Sequence, residues 1–148
     1  MAIQSMQTAE LVEKQAATAN EGVVIHLPLG LLGFEQVHWY NLWALPGEAP
    51  FLWLRRRDDC SLGFLLISPF EHVSHYRPDV HQDDVAYLKL NSPSDALVLN
   101  IVTLQGNGKA TVNLKGPLII NRHTRIGKQV VPRNAADYSV QHPLPVAT

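Results

Sequence analysis

Histidines and carboxylates lie close together in one short segment, a pattern that can bind a divalent metal. The residues concerned are His72, His75, His81, Asp79, Asp83 and Asp84. Catalytic zinc needs three protein ligands in a fixed geometry and one open position. The spacing here matches no pair of ligands on a helix, and Pro78 interrupts the segment. A metal-dependent hydrolase is therefore the alternative function, while exposed loop histidines beside an acidic cluster are the simpler interpretation.

The sequence supports covalent catalysis even less than metal-dependent catalysis. Cys60 lies between Asp59 and Ser61, and neighbouring acids raise the pKa of a thiol instead of lowering it. The sequence contains no Gly-x-Ser-x-Gly elbow, no P-loop and no Gly-x-Gly-x-x-Gly fingerprint. The run Arg55-Arg56-Arg57 can grip a phosphate or carboxylate, but such a run is more often a solvated turn. We therefore predict no catalytic residue, no cofactor and no metal.

The composition is that of a soluble globular protein that has one domain. The chain has 148 residues, and no apolar run approaches the roughly 20 residues that cross a bilayer. The N-terminal residues lack the basic and apolar regions of a signal peptide. A single cysteine excludes an internal disulfide, so we expect a cytoplasmic protein. Residues 1–20 are predicted to be a flexible extension, and residues 21–148 are predicted to be the single domain.

The charges divide the chain into two unlike segments. Between residues 58 and 95 there are seven acids and two bases, namely Asp58, Asp59, Glu71, Asp79, Asp83, Asp84 and Asp95 against Arg77 and Lys89. Residues 106–148 carry six bases and one acid, namely Lys109, Lys115, Arg122, Arg125, Lys128 and Arg133 against Asp137. Since the total is near neutral, general nucleic-acid binding is not expected. Either the two segments pair within the fold, or the acidic one meets a basic protein partner.

The elements that must position these residues are mostly strands. Two β-branched, apolar runs, Leu97–Leu104 and Ala110–Asn121, flank a glycine-rich pivot at Asn107-Gly108, which predicts a β-hairpin. Pro117 marks a bend, bulge or edge, because proline cannot donate to a sheet. Similar runs recur from Val23 onwards with turn residues between them, so we predict a mainly β fold, a small antiparallel barrel or sandwich. One helix is expected near residues 85–90, with Asp83 or Asp84 as its N-cap, and a second helical turn at Ser94-Asp95.

An ordered series of short motifs resembles the flagellar assembly factor FliW family. The motifs lie within residues 22–144, and they are Gly30-Leu31-Leu32-Gly33-Phe34-Glu35, Pro50-Phe51-Leu52-Trp53-Leu54, Phe64–Phe70, Val98–Thr103, Thr111–Pro117, Ile119-Ile120-Asn121, Gly127–Val130 and His142-Pro143-Leu144. The resemblance implies a monomeric, non-enzymatic β-barrel protein that binds flagellin. It also implies a second partner, the carbon storage regulator CsrA, an RNA-binding repressor of flagellin translation. An interaction domain of the same fold with different clients remains a further possibility.

The apolar loop Leu29–Phe34 and the acidic segment are the candidate contact regions for these partners. We expect the residues that contact a partner to be Leu31, Phe34, Asp58, Asp59, Glu71, Asp79, Asp83, Asp84, Asn113 and Asn121. Exposed apolar loop residues can anchor a protein partner, although packing under the end of the barrel is the slightly favoured explanation. No contact with nucleic acid or membrane is expected.

Overall fold

The computed structural model describes residues 22–44, 47–59 and 61–144. The regular structure of this part is mainly strand, and its nine strands are β1 (Val23–His26), β2 (Trp39–Trp43), β3 (Phe51–Arg56), β4 (Gly63–Ile67), β5 (Ala96–Leu104), β6 (Ala110–Val112), β7 (Leu118–Asn121), β8 (Gly127–Gln129) and β9 (His142–Leu144). The expectations for residues 1–20 and for Cys60 concern parts of the chain outside the described residues. The mainly β fold is confirmed.

The strands pair antiparallel in the order β1-β2-β3-β4-β5-β6-β9, and β7 and β8 form a branch from β5. Among the described residues, β1 and β9 end the sheet and do not pair with each other, so the sheet is not a closed barrel. An isolated parallel bridge joins His26, the last residue of β1, to Ile126, which precedes β8. The period-2 burial of β1 to β3 explains these pairings, since every second side chain is buried.

The hairpin predicted around Asn107-Gly108 is confirmed. Val102, Thr103 and Leu104 of β5 pair with Val112, Thr111 and Ala110 of β6. Gly108 has a φ of +79°, the conformation for which glycine is needed in the turn. After β6 the chain leaves the ladder at Asn113, passes Pro117, and pairs with the first half of β5 as β7.

Both faces of the β5–β7 ladder are buried, which explains its almost continuous apolar sequence. Leu97, Leu99, Leu118 and Ile120 belong to a core that β1 to β4 complete. The alternating residues Ala96, Val98 and Ile119 belong to a second core with the residues around the only α-helix of the described part, α1 (Gln82–Tyr87). A third core lies under β6 and β9.

Helix α1 begins earlier than the sequence predicts. Its N-cap residue is His81, and no side chain caps the helix, so the prediction of Asp83 or Asp84 as the cap is wrong. Both aspartates lie in the first turn, where a negative charge interacts favourably with the helix dipole. The predicted second helical turn is present as a 3-10 helix, Pro93–Asp95.

The apolar loop between β1 and β2 is a series of tight turns. The N–H of Gly30 donates to the carbonyl oxygen of Leu27 at 2.9 Å, and that of Phe34 donates to Leu31 at 2.7 Å. Gly30 has a φ of +67°, and a Cβ atom there would lie 2.5 Å from the carbonyl oxygen of Phe34. Glycine is therefore required at this position both for its φ and for the close approach of the two backbones.

Replacing Gly30 with alanine should destabilise the protein more than replacing Gly33. The Gly33→Ala variant suffers only the cost of a positive φ, about 1 to 2 kcal/mol, because nothing lies within 4 Å of its new Cβ. The Gly30→Ala variant adds a backbone clash, for which we expect roughly 2 kcal/mol more. Urea unfolding of both variants measures the difference, and equal losses would contradict the close approach.

Candidate functional site

Several of the predicted contact residues lie in the interior of the protein. Leu31 is buried in the core of β1 to β4. Asn121 is buried, and its amide nitrogen donates to the carbonyl oxygen of Leu88 at 2.8 Å while its oxygen accepts from the N–H of His123. The side-chain oxygen of Asn113 accepts from the N–H groups of Lys115 and Gly116, which shapes the turn after β6. These polar side chains satisfy backbone groups where strands and the helix end.

The acidic residues divide into engaged and exposed ones. Asp84 is buried, and its Oδ1 lies 2.5 Å from the Nζ of Lys128. Asp58 accepts from Arg56 at 2.6 Å, and this hydrogen bond holds the pKa of the Asp58 carboxyl below its usual range. Glu71 and Asp83 are exposed at the 3-10 helix Pro69–Glu71 and at α1.

Asp79 and Asp59 are fixed by their neighbours. Asp79 is half-buried, and its N–H donates to the side-chain oxygen of Asn134. Asp59 is exposed in the turn after β3, where hydrogen bonds from the side chain and backbone of Ser61 lower the pKa of its carboxyl. Of the ten predicted contact residues, Leu31, Asp84 and Asn121 are buried, and the others are half-buried or exposed.

The histidines and arginines that suggested chemistry are not assembled into a site. The described residues contain no group of three or more His, Cys, Asp or Glu side chains placed to hold a metal ion. Arg55 and Arg56 lie in β3 and not in a turn. The Arg55 guanidinium lies 5.5 Å from the centre of the Trp53 ring, which is the distance of a cation–π contact.

An apolar groove lies between the Leu29–Leu32 loop and the residues that follow β8. Its floor and walls come from distant parts of the chain, and its volume is about 470 Å³. The residues that line it are Leu29, Gly30, Leu31, Leu32, Glu35, Asn113, Lys115, Gly116, Lys128, Gln129, Val130, Val131 and Val140. We call this surface the aliphatic groove. The exposed fractions of its outward side chains are 85% for Leu32, 66% for Val131, 54% for Val140 and 53% for Leu29.

Gln129 holds the two sides of the aliphatic groove together. Its Oε1 accepts from the N–H of Leu32 at 2.9 Å, and its Nε2 donates to the carbonyl oxygen of Gly116 at 3.1 Å. A Cβ atom on Gly116 would lie 3.0 Å from that Nε2 and 3.2 Å from the Nδ2 of Asn113. The absence of a side chain at Gly116 is thus part of how the groove is built.

Phe34, at the end of the same loop, is placed differently from the leucines. It is partly exposed, and its ring meets the Phe64 ring edge to face with the centroids 5.1 Å apart. This contact ties the loop to β4. Phe34 therefore supports the loop and still has part of its ring exposed.

The sequence singled out the Leu29–Phe34 loop, which lies on one side of the groove, and it did not single out Val131, Val140 or Gln129 on the opposite side. No strong local pattern marks these three residues, because a single valine after a strand is ordinary. Only the position of Val131 directly before Pro132, where a strand has to end, sets it apart in the sequence.

The fold and this surface define a small antiparallel β protein with a preformed apolar groove. No helix of the described part is long and apolar enough to cross a membrane. The family model described as FliW protein matches residues 6–144, so the match begins within the segment that we assigned to an extension.

Individual relatives agree with the family model. A flagellar assembly factor FliW of Natranaerobius thermophilus is 39% identical over 129 residues, 84% of this chain and 83% of that protein. Its counterpart in Clostridioides difficile is 34% identical over 121 residues, 81% of this chain and 92% of that protein. A crystal structure of the flagellar assembly factor FliW is similar with a TM-score of 0.72 and 29% identity, covering 81% of this chain and 84% of that one. The chain belongs to the FliW family.

Removing the carboxylate of Asp84 should destabilise the fold, whereas removing its neighbour should not. The Asp84→Ala variant leaves the half-buried Lys128 ammonium without its partner, and we expect a loss of about 2 kcal/mol. The Asp83→Ala variant changes an exposed side chain one position away, with an expected effect within about 0.5 kcal/mol. Thermal and urea unfolding measure both, and similar values for the two variants would contradict the role of the ion pair.

Proposed function

We propose that this protein acts in flagellar assembly as a cytoplasmic, monomeric, non-enzymatic regulator that binds flagellin and antagonises CsrA. Free protein binds CsrA and relieves the repression of flagellin synthesis. When flagellin accumulates it occupies the protein, and CsrA is released to repress again. Membership of the FliW family supports a role in flagellar assembly, and the aliphatic groove supports a function that depends on binding another protein.

The aliphatic groove is the observation that carries the proposal. Four aliphatic side chains are exposed together at its rim, and such a patch on a small protein is typical of a protein-binding site. The loop that carries two of them is held by backbone hydrogen bonds, so binding needs little reordering of this surface. No reaction is required of any residue in this scheme.

Exposed carboxylates are the proposed contacts for CsrA, which is basic because it binds RNA. Glu71 and Asp83 are exposed, and neither carboxylate forms an ion pair with another described residue. Asp84 is not available in the same way, since Lys128 already neutralises it. Complementary charges at the rim of an interface mainly accelerate association and make the affinity depend on salt.

A titration of CsrA in the absence and presence of flagellin tests the exchange of partners. The proposal expects flagellin at saturating concentration to reduce the apparent affinity for CsrA by about tenfold or more, because two ligands that exclude each other compete by mass action. Isothermal titration calorimetry with purified proteins measures this. An affinity for CsrA that flagellin leaves unchanged would refute the exchange.

Reversing the exposed carboxylates tests where CsrA binds. The double variant Glu71→Lys with Asp83→Lys should bind CsrA about tenfold more weakly at low salt and with a weaker salt dependence. Asp137→Lys is the matched control, because it reverses an exposed carboxylate in the basic part of the chain. Equal affinity of the double variant and the control would place CsrA elsewhere.

A further inference from the structure

The aliphatic groove has a chemistry specific enough to describe what it binds. Its exposed apolar side chains are all leucine or valine, and the lining contains no aromatic ring. Leu29 and Leu32 come from one side, and Val131 and Val140 come from the other. Branched aliphatic surfaces gain most from a partner that buries leucine, isoleucine or valine side chains against them, since this interaction is proportional to the apolar area removed from water.

The groove also carries a positive charge that the fold does not neutralise. Lys128 is engaged with Asp84, and its Nζ lies 5.4 Å from the centre of the Tyr87 ring. Lys115 lines the same groove, and no carboxylate of the described residues forms an ion pair with it.

The single acid of the lining does not face an incoming partner freely. The Oε1 of Glu35 accepts from the N–H of Gly33 at 3.1 Å, which turns this carboxylate toward its own loop. Glu35 stays exposed but has one oxygen occupied by its own loop, whereas the ammonium of Lys115 forms no ion pair with a described residue. An ammonium at the rim of an apolar groove favours a carboxylate on the partner.

The groove is rigid before any partner arrives. Gln129 joins the loop to the Gly116 turn through two hydrogen bonds, and Asn113 fixes that turn through two more. The loop itself is closed by the backbone bonds at Gly30 and Phe34. A surface built in this way selects its ligand by shape and spacing instead of adapting to it.

From these observations we infer that the aliphatic groove is the flagellin site, and that it receives a segment with a row of aliphatic side chains beside at least one carboxylate. The row lies against Leu29, Leu32, Val131 and Val140, and the carboxylate meets Lys115. This inference rests on the proposed function, because it assigns a place and a chemistry to the flagellin contact. The proposal assigns the CsrA contact to Glu71 and Asp83, outside the groove lining, so bound flagellin excludes CsrA through the bulk of the two partners on one small protein and not through shared contact residues.

Polar substitution of the two most exposed aliphatic residues tests the assignment. The double variant Leu32→Ser with Val131→Ser should bind flagellin at least tenfold more weakly than the wild type, while its affinity for CsrA stays within about twofold. Both affinities are measured by calorimetry, and retained CsrA binding shows that the variant is folded. Leu104→Ser is the matched control, since Leu104 is 62% exposed and lies on a different hollow with Phe51, Trp53 and Leu65.

The outcomes separate the inference from the proposed function. If wild type binds flagellin and the double variant binds it equally well, the groove assignment is overturned and flagellin binding stands. If the wild type does not bind flagellin, both are overturned. Self-association of the wild type that the double variant loses, without any change in flagellin affinity, would assign the groove to a second copy of this chain and overturn the inference.

The charge is tested separately. Lys115→Glu should weaken flagellin binding about threefold to tenfold at low salt and reduce its salt dependence, because it places a carboxylate where the partner's carboxylate binds. Lys109→Glu makes the same change at an exposed position in the β5–β6 turn and should have little effect. Equal affinities of these two variants would overturn the predicted carboxylate on the partner.

Discussion

Strand β5 has to pair with three other strands, and the rest of the molecule depends on how it does so. Its second half pairs with β4 and β6, and its first half pairs with β7. Where β7 replaces β6 as the strand that pairs with β5, some backbone N–H and C=O groups near Asn113 have no partner in a regular strand ladder. The amide nitrogen of Asn100, buried in β5, donates to the carbonyl oxygen of Asn113 at 2.8 Å and approaches the hydroxyl of Tyr76 at 3.2 Å. The Tyr76 hydroxyl in turn donates to the carbonyl oxygen of Leu114.

This buried polar cluster decides where the aliphatic groove lies. Because Asn100 and Tyr76 hold the turn after β6, Lys115 and Gly116 are presented next to Gln129. Burial raises the pKa of Tyr76, so its phenol stays protonated and keeps donating at any physiological pH. Burying a polar group costs free energy unless the group forms a hydrogen bond. Because other arrangements of the turn would break the bonds from Asn100 and Tyr76, these bonds favour the one observed. The binding surface is thus a consequence of how the sheet changes partners.

The unequal distribution of charge along the chain has a structural explanation in part. Asp84 pairs with Lys128, and Asp95 lies 3.0 Å from the Nε2 of His123, so the acidic segment meets the basic one at two places. The N–H groups of Asn91 and Ser92, followed by His123, lower the pKa of Asp95, which is committed to the turn before β5. Exposed carboxylates such as Glu71 and Asp83 remain on one segment, and lysines such as Lys109 and Lys115 remain on the other. Charges of both signs therefore stay available on one small protein.

The sequence by itself determined the strands, the hairpin and the loop, because these depend on neighbouring residues. The alternation in Val23–His26, the turn at Asn107-Gly108 and the break at Pro117 are local properties of the backbone. It also carried the ordered motifs by which the family is known. Tertiary structure alone decided that Asp84 is buried against Lys128, 44 positions away, and that Leu32 and Val131 share one groove. Neither pairing leaves a trace in nearby residues, since a side chain's exposure and partners are set by segments that meet only when the sheet has formed.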